Sequence, residues 1–293
     1  MRDVYTIVTE RIIEKLEQGV VPWRQPWQDA GLPQNLITQR PYRGINVMLL
    51  ASLGHAKNYF LTFKQLKALG GSVKKDEKAN LVVYWNWVDA KATDESREEN
   101  KKVPYLRYYH VFNVAQCDSI PNTLIPEIRS NANPIPECEK VVSAMPDKPF
   151  IRHDEPKAYY SPTLDIVNMP EQALFESDES YYATLFHELV HSTGHQSRLN
   201  RKGFERMAAS GSEAYSFEEL VAEIGACYLT SLTGIAARQF DCSIGYLKGW
   251  LKKFKGDKRC IVQASTLAQK ATDFILNVGN EIELAGLSKE SQR

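Results

Sequence analysis

Apolar positions recur with two different periods along the chain. Val4, Ile7, Val8, Ile12 and Leu16 follow helical spacing over residues 4–18, and Gly19 closes the run, which predicts a first helix. The same spacing predicts helices over residues 46–53 and 62–69, the second ended by Gly70-Gly71. The pattern then changes: residues 81–88 and 105–114 are rich in β-branched and aromatic residues and predict two strands of an antiparallel hairpin. Between them, residues 89–102 are almost wholly polar or charged and predict an exposed loop. Prolines at 121, 126, 134 and 136 interrupt the pattern again. They mark a linker over about residues 119–136, dividing the chain into units 1–130 and 137–293. The second unit reads as a helix over 137–144, short strands at 159–161 and 165–169, and a helix from about residue 180. Further helices are predicted over 217–232, 243–254 and 259–278. Strands first and helices after predict an α+β fold of two domains, the N-terminal one carrying an antiparallel sheet.

Composition changes this picture little. Lys+Arg and Asp+Glu balance at 36 each. Residues 1–130 hold 18 basic and 14 acidic side chains, net +4, which leaves −4 for the rest. The five cysteines lack C-x-x-C spacing and read as reduced thiols of a cytoplasmic protein. No apolar run has the length of a membrane span, and the N-terminus is an amphipathic segment rather than a signal peptide, so no membrane partner is expected.

The sharpest chemical signal is the run His187-Glu188-Leu189-Val190-His191, an H-E-x-x-H pattern inside an apolar helical segment. Residues four apart share a helix face, so His187 and His191 can offer two imidazole nitrogens to one metal ion, with Glu188 beside it as general base. A catalytic zinc site needs a third ligand. His195 is one candidate, but helix rise would put it about 12 Å from His187. The better candidate is Glu219 in Glu218-Glu219-Leu220-Val221-Ala222-Glu223, with Glu223 one turn on, placed to orient a ligand histidine. Glu218 and Glu219 both read as exposed on pattern alone. Zinc is the expected ion, although imidazole and carboxylate ligands also accept manganese, cobalt or nickel. The expected chemistry is peptide hydrolysis, with His195 or Tyr215 as donor to the oxyanion and the strand at 165–169 aligning an extended peptide. A nuclease fits less well, since it usually wants a carboxylate-rich magnesium site.

In the N-terminal half, bases interleave with aromatics. Trp23, Arg24, Trp27, Tyr42, Arg43, Trp85, Trp87, Arg107, Tyr108 and Tyr109 have the chemistry to hold single-stranded nucleic acid by phosphate attraction and base stacking. The same side chains would serve a core equally well, and alternation along a strand must turn about half of residues 84–87 inward.

H-E-x-x-H followed by E-x-x-x-E on a later helix resembles the gluzincin arrangement of zinc metallopeptidases. The flanking runs Tyr159-Tyr160-Ser161-Pro162, Tyr181-Tyr182-Ala183-Thr184-Leu185-Phe186 and Arg198-Leu199-Asn200-Arg201 narrow it. So do Val21-Pro22-Trp23, Tyr42-Arg43-Gly44-Ile45-Asn46, Leu61-Thr62-Phe63-Lys64-Gln65, Val82-Val83-Tyr84-Trp85 and Val111-Phe112-Asn113-Val114 in the N-terminal half. Together they resemble the ArdC-type antirestriction proteins of plasmids over nearly the whole chain. The resemblance implies an N-terminal domain that binds single-stranded DNA, a C-terminal zincin-like metallopeptidase domain, and protection of incoming plasmid DNA from host restriction. A host restriction enzyme or another protein would be the peptidase substrate. The alternative is a DNA-binding shield whose metal site is structural.

Overall fold

The computed structural model describes residues 3–23, 31–89, 102–126, 134–201, 213–235 and 244–278. The N-terminal half runs α1 (Val4–Glu17), β1 (Gln34–Asn35), α2 (Ile45–Ala51), β2 (Tyr59–Thr62), α3 (Phe63–Ala68), β3 (Ser72–Val73), β4 (Asn80–Asp89), β5 (Lys102–Asn113) and β6 (Cys117–Asp118). The C-terminal half runs α4 (Ile135–Ala144), β7 (Phe150–Arg152), β8 (Tyr159–Ser161), β9 (Ile166–Asn168), α5 (Asp178–Ser192), α6 (Glu213–Thr233), α7 (Ile244–Gly256) and α8 (Cys260–Ile275). The architecture is α+β, as expected, and the helices and the hairpin fall where periodicity put them. The expected loop between the hairpin strands lies, for residues 90–101, outside the described residues. No helix among the described residues is long and apolar enough to cross a membrane. Cys117, Cys138, Cys227 and Cys260 are buried thiols, whereas Cys242 falls outside the described residues.

The first sheet has the order β1-β2-β5-β4. The hairpin pairs β4 with β5 antiparallel in the register Tyr84↔Arg107, and β2 joins the other edge of β5 antiparallel. β1 adds a parallel pair, so this sheet is mixed rather than purely antiparallel. Its two residues are too few to show a period, and β2 was hidden because it runs straight into α3, whose start is fixed by a capping box between Thr62 and Gln65. In the C-terminal half, β7, β9 and β8 form a three-stranded sheet with β9 in the middle.

One large core draws on both sides of the proline-rich stretch. Val8, Ile12 and Leu16 of α1 and Met48 of α2 are buried in the same cluster as Phe186 and Leu189 of α5, Leu220 and Ile224 of α6 and Ile261 of α8. Polar contacts tie the halves as well. Thr9 Oγ1 donates to Lys258 O at 2.6 Å, Tyr228 Oη to Gly44 O at 2.8 Å, and Gly44 N to Gln269 Oε1 at 2.9 Å. Trp23 is wholly buried, with its indole edge-on to Trp250 and Phe254.

Helix α6 lies between α5 and α8 and approaches α5 closely at Gly225. A Cβ on Gly225 would stand 2.8 Å from Val190 Cγ2 and 2.9 Å from Cγ1, inside any permitted contact. In a helix interior Gly→Ala ordinarily stabilises by about 1 kcal/mol. Here the added methyl must wedge the two helices apart, so Gly225→Ala is expected to destabilise by about 1–3 kcal/mol in urea unfolding. Val190→Ala in the same chain should recover part of that loss, and a stabilised single variant would show that the contact is not limiting.

Candidate metal centre

Helix α5 starts at Ser177, whose hydroxyl accepts from Ser180 N, and carries Asp178 and Glu179 in its first turn, where the helix dipole favours negative charge. Tyr181, Tyr182, Leu185, Phe186, Leu189 and Val190 are buried and fix the helix rotation. His187 and His191, one turn apart, meet Glu219 of α6. The two Nε2 atoms lie 3.1 Å apart. Glu219 Oε2 is 3.3 Å from His187 Nε2, and Oε1 is 3.4 Å from His191 Nε2. Tetrahedral ligation with bonds near 2.1 Å requires donor separations of about 3.4 Å, and the three residues approach that spacing with one oxygen of Glu219 turned to each ring. His187 Nδ1 and His191 Nδ1 are buried and have no hydrogen-bond partner among the described residues. This donor set and geometry fit a divalent transition metal.

The electrostatics favour positive charge at this spot. Burial opposes a charged His191 ring, but the carboxylates of Glu218, Glu219 and Glu188 outweigh it and raise its pKa well above that of a free imidazole. Burial likewise works against the Glu219 carboxylate, and His187 and His191 overcome it, holding the group far below the usual range. A proton and a metal ion thus compete for the same acidic pocket. Glu188 is itself buried, on the turn between the two histidines.

The neighbours of this cluster differ from those expected. Glu223, expected to orient a ligand histidine, bonds elsewhere. Its Oε2 accepts from Trp23 Nε1 at 3.0 Å and forms a short bond with Tyr246 Oη, so it serves the junction between the halves. The carboxylate near a ligand ring is Glu218, buried rather than exposed, with Oε1 3.7 Å from His191 Nδ1. It is gripped by Arg201, which donates from Nε to Oε2 at 3.1 Å and pairs with Oε1. Sequence pattern missed both residues. The available signal was a basic residue close behind the motif and an acid directly before the ligand. His195 Nδ1 is 2.8 Å from Ser197 Oγ and 4.0 Å from Asp165 Oδ2, away from the donor triangle. Tyr215 lies on α6, and its side chain is outside the described residues. The strand expected to align a peptide, β9, is the middle strand, with β7 and β8 occupying both its edges. It has no free edge to offer. Among the described residues β8 has one, and β8 packs on α5.

The aromatic candidates also separate. Trp23 and Tyr42 are buried, the latter against Phe60, and neither presents a ring face for stacking. Arg43 pairs with Asp273 of α8. Trp85 is partly buried, edge-on to Tyr5. Arg24 and Trp27 lie outside the described residues, as does the side chain of Trp87. Arg107 and Tyr108 are exposed but, being adjacent in β5, point to opposite faces. Register places Tyr84, Tyr105, Arg107 and Tyr109 on one face. There the Arg107 guanidinium lies 5.0 Å from the Tyr105 ring centroid, and Tyr84 meets Tyr109 edge-on. Tyr84 and Tyr105 were overlooked because only register, not composition, groups them with Arg107.

Fold and site together define a protein with a zincin-like metallopeptidase unit joined to a mixed sheet. A family model described as zincin-like metallopeptidase matches residues 136–267, and one described as the N-terminal domain of anti-restriction factor ArdC matches residues 2–112. The metal-free crystal structure of antirestriction protein ArdC from plasmid R388 superposes with a TM-score of 0.76 at 42% identity, covering 94% of this chain and 97% of that one. Its Mn(II)-bound form gives 0.75 at 40% identity, covering 94% and 98%. The uncharacterised protein y4eC of Sinorhizobium fredii (strain NBRC 101917 / NGR234) is 33% identical over 286 residues, 93% of this chain and 91% of that protein. A DNA primase TraC of Escherichia coli is 34% identical over 289 residues, 92% of this chain, which spans 26% of the primase. The chain belongs to the ArdC family of antirestriction proteins.

Donors already spaced for ligation lose little freedom on binding, so Zn(II) or Mn(II) at about a hundred times its Kd should stabilise the fold by about 2.7 kcal/mol. That raises Tm by several degrees, as read by thermal melting in a chelator-free buffer. His187→Ala and Glu219→Ala should each abolish the rise. A rise that persists in both variants would locate the ion elsewhere.

Proposed function

We propose that this chain binds single-stranded DNA on the hairpin face bearing Tyr84, Tyr105 and Arg107, and holds a divalent metal, zinc or manganese, on His187, His191 and Glu219 for peptide hydrolysis. The two activities together protect incoming plasmid DNA from host restriction. The observation that carries the reading is the donor triangle with the buried Glu188 beside it: two imidazoles, one carboxylate and a separate carboxylic base are what metal-assisted hydrolysis requires. A bound divalent cation supplies Lewis acidity, polarising a carbonyl and lowering the pKa of water to about 7. Glu188 takes the proton from the attacking water and returns it to the leaving amine. Glu219 and His191 keep their ligand geometry because α5 and α6 are locked together at Gly225. The free edge of β8 aligns an extended peptide beside α5. The substrate is a protein, with a host restriction enzyme the candidate that unites this chemistry with antirestriction.

Support for the DNA half comes from the hairpin face, where tyrosine rings flank a guanidinium in the open, a combination that stacks bases and attracts phosphate without reading sequence. The related proteins named for antirestriction and for DNA priming agree with a DNA-directed task.

Glu188→Gln keeps the ligands and removes the base. It should bind metal as the parent does and lose at least 100-fold in hydrolysis of a cleaved protein. Restriction of incoming DNA in cells carrying the variant is the decisive measurement. Unimpaired protection would assign the antirestriction task to DNA occupancy and leave the metal a structural role.

On the DNA side, Tyr84→Ala and Tyr105→Ala should each cost about 1–3 kcal/mol of affinity for an unstructured oligonucleotide. Arg107→Ala should flatten the salt dependence. Tyr42→Phe, buried, should leave binding intact. Equal affinity in all four, measured by fluorescence anisotropy, would move the DNA surface off this face.

A further inference from the structure

Two buried charges near the centre take no part in the reading above. Arg201 and Glu218 form a salt bridge in which both side chains are more than nine-tenths buried. A buried pair of this kind is weak evidence for stability, since apolar residues of the same volume often serve as well. Its surroundings suggest a more specific task. Arg201 Nη2 donates to Val190 O at 2.9 Å and His191 O at 3.3 Å, and Arg201 Nη1 bonds Thr193 Oγ1. One guanidinium therefore holds the backbone of His191 and the carboxylate that faces the ring of His191.

The ring itself has a requirement. With Nε2 aimed at Glu219 and His187, its other nitrogen, Nδ1, carries a proton whenever Nε2 uses its lone pair as a ligand. That Nδ1 is buried and has no hydrogen-bond partner among the described residues, and a buried N–H without an acceptor is costly. Glu218 Oε1, 3.7 Å away, is the acceptor placed to meet it. His187 Nδ1 is buried too, but among the described residues no carboxylate is paired with it. The support is thus one-sided.

We infer that Arg201 and Glu218 are positioning residues for the metal centre: Glu218 accepts from His191 Nδ1 and fixes its Nε2 as the ligand atom, while Arg201 fixes Glu218 and the His191 backbone in one frame. The inference rests on the reading of His187, His191 and Glu219 as a metal site. It deepens that reading by making affinity depend on residues that never touch the ion. An acceptor behind a ligand histidine commonly contributes 10–100-fold in metal affinity.

Glu218→Asp keeps a charge for Arg201 but withdraws the oxygen from His191. It should weaken Zn(II) binding 10–100-fold in competition with a chromophoric chelator, at little change in the unfolding midpoint of the metal-free chain. Should the shorter acid fail to fold, the double variant Glu218→Met with Arg201→Met replaces the ion pair with apolar groups of similar volume, removes the acceptor, and should lose affinity to the same extent. A readout that packing alone would not move is the His191 Nδ1–H resonance in the zinc-loaded, 15N-histidine-labelled protein. In the parent it should be downfield and slow to exchange with water, and in the variants it should move upfield or vanish. Zinc affinity within twofold of the parent in a folded variant, or a parent resonance that exchanges freely, would overturn the inference. Failure of the unaltered chain to bind zinc at all would instead overturn the metal site itself.

Discussion

The site depends on how closely two helices can lie. Gly225 brings α6 against Val190 of α5 with no side chain between them, and His191 is the next residue along α5. At that separation the Glu219 carboxylate reaches both Nε2 atoms within 3.4 Å. A wider spacing would leave two histidines with no third donor. The same closeness buries the ring of His191, and three carboxylates act on it and overcome the cost of burying its charge. The packing contact and the meeting of Glu219 with both histidines are therefore consequences of one geometric fact, the absence of a Cβ at position 225.

A second consequence concerns the N-terminal half. Glu219 and Glu223 are one turn apart on α6. The first points to the donor triangle and the second to Trp23 and Tyr246. Trp23, on the chain just beyond α1, is wholly buried against α7. The helix that presents the third ligand is thus held from behind by an N-terminal tryptophan. The halves share a core rather than resting on each other, so displacement of the segment around Trp23 would bear on α6 one turn from the ligand. Buried carboxylates next to an indole N–H tolerate little movement, since a lost bond leaves a charge without its donor.

Much of this was legible in the sequence, and what was missed has physical causes. Helical periodicity found α1 and α8 because each buries one face, whereas α5 and α6 are buried nearly all round and were legible through their apolar content and the four-residue spacing of their histidines and glutamates. The hairpin was visible because its strands are long and rich in aromatics. The four-residue spacing singled out Glu219 and Glu223, and the fold places the first with the two histidines and the second with Trp23 and Tyr246. Glu218 looked exposed because a charged residue beside another charged residue reads as solvated surface, and only the fold reveals that Arg201 is there to pair with it. Trp23 and Tyr42 were read as stacking rings because composition cannot tell a core aromatic from a surface one. Register supplied what composition lacked: Tyr84 and Arg107 face each other across β4 and β5, while Tyr108, one residue on, is turned to the other side. The strand at 165–169 was recognisable as a strand, but its central place in the sheet depends on β7, three residues with no periodic signature.

The two halves of the donor set are built to different standards, and this bears on how the site works. His191 is nearly inaccessible, faces Glu218 and has its backbone carbonyl held by Arg201, whereas His187 is more exposed. Both rings ride on one rigid helix, so their separation is set by the helix and not by their neighbours. Their rotation about the side-chain bonds is not, and there the support is unequal. Under the proposed metal reading, an arrangement of this kind would hold one ligand nitrogen in place in advance and leave the other able to adjust. The price of such preorganisation is a buried ion pair that apolar residues could replace without loss of stability. That an arginine and a glutamate stand behind His191, rather than two leucines, is what a demand for orientation predicts and a demand for stability does not.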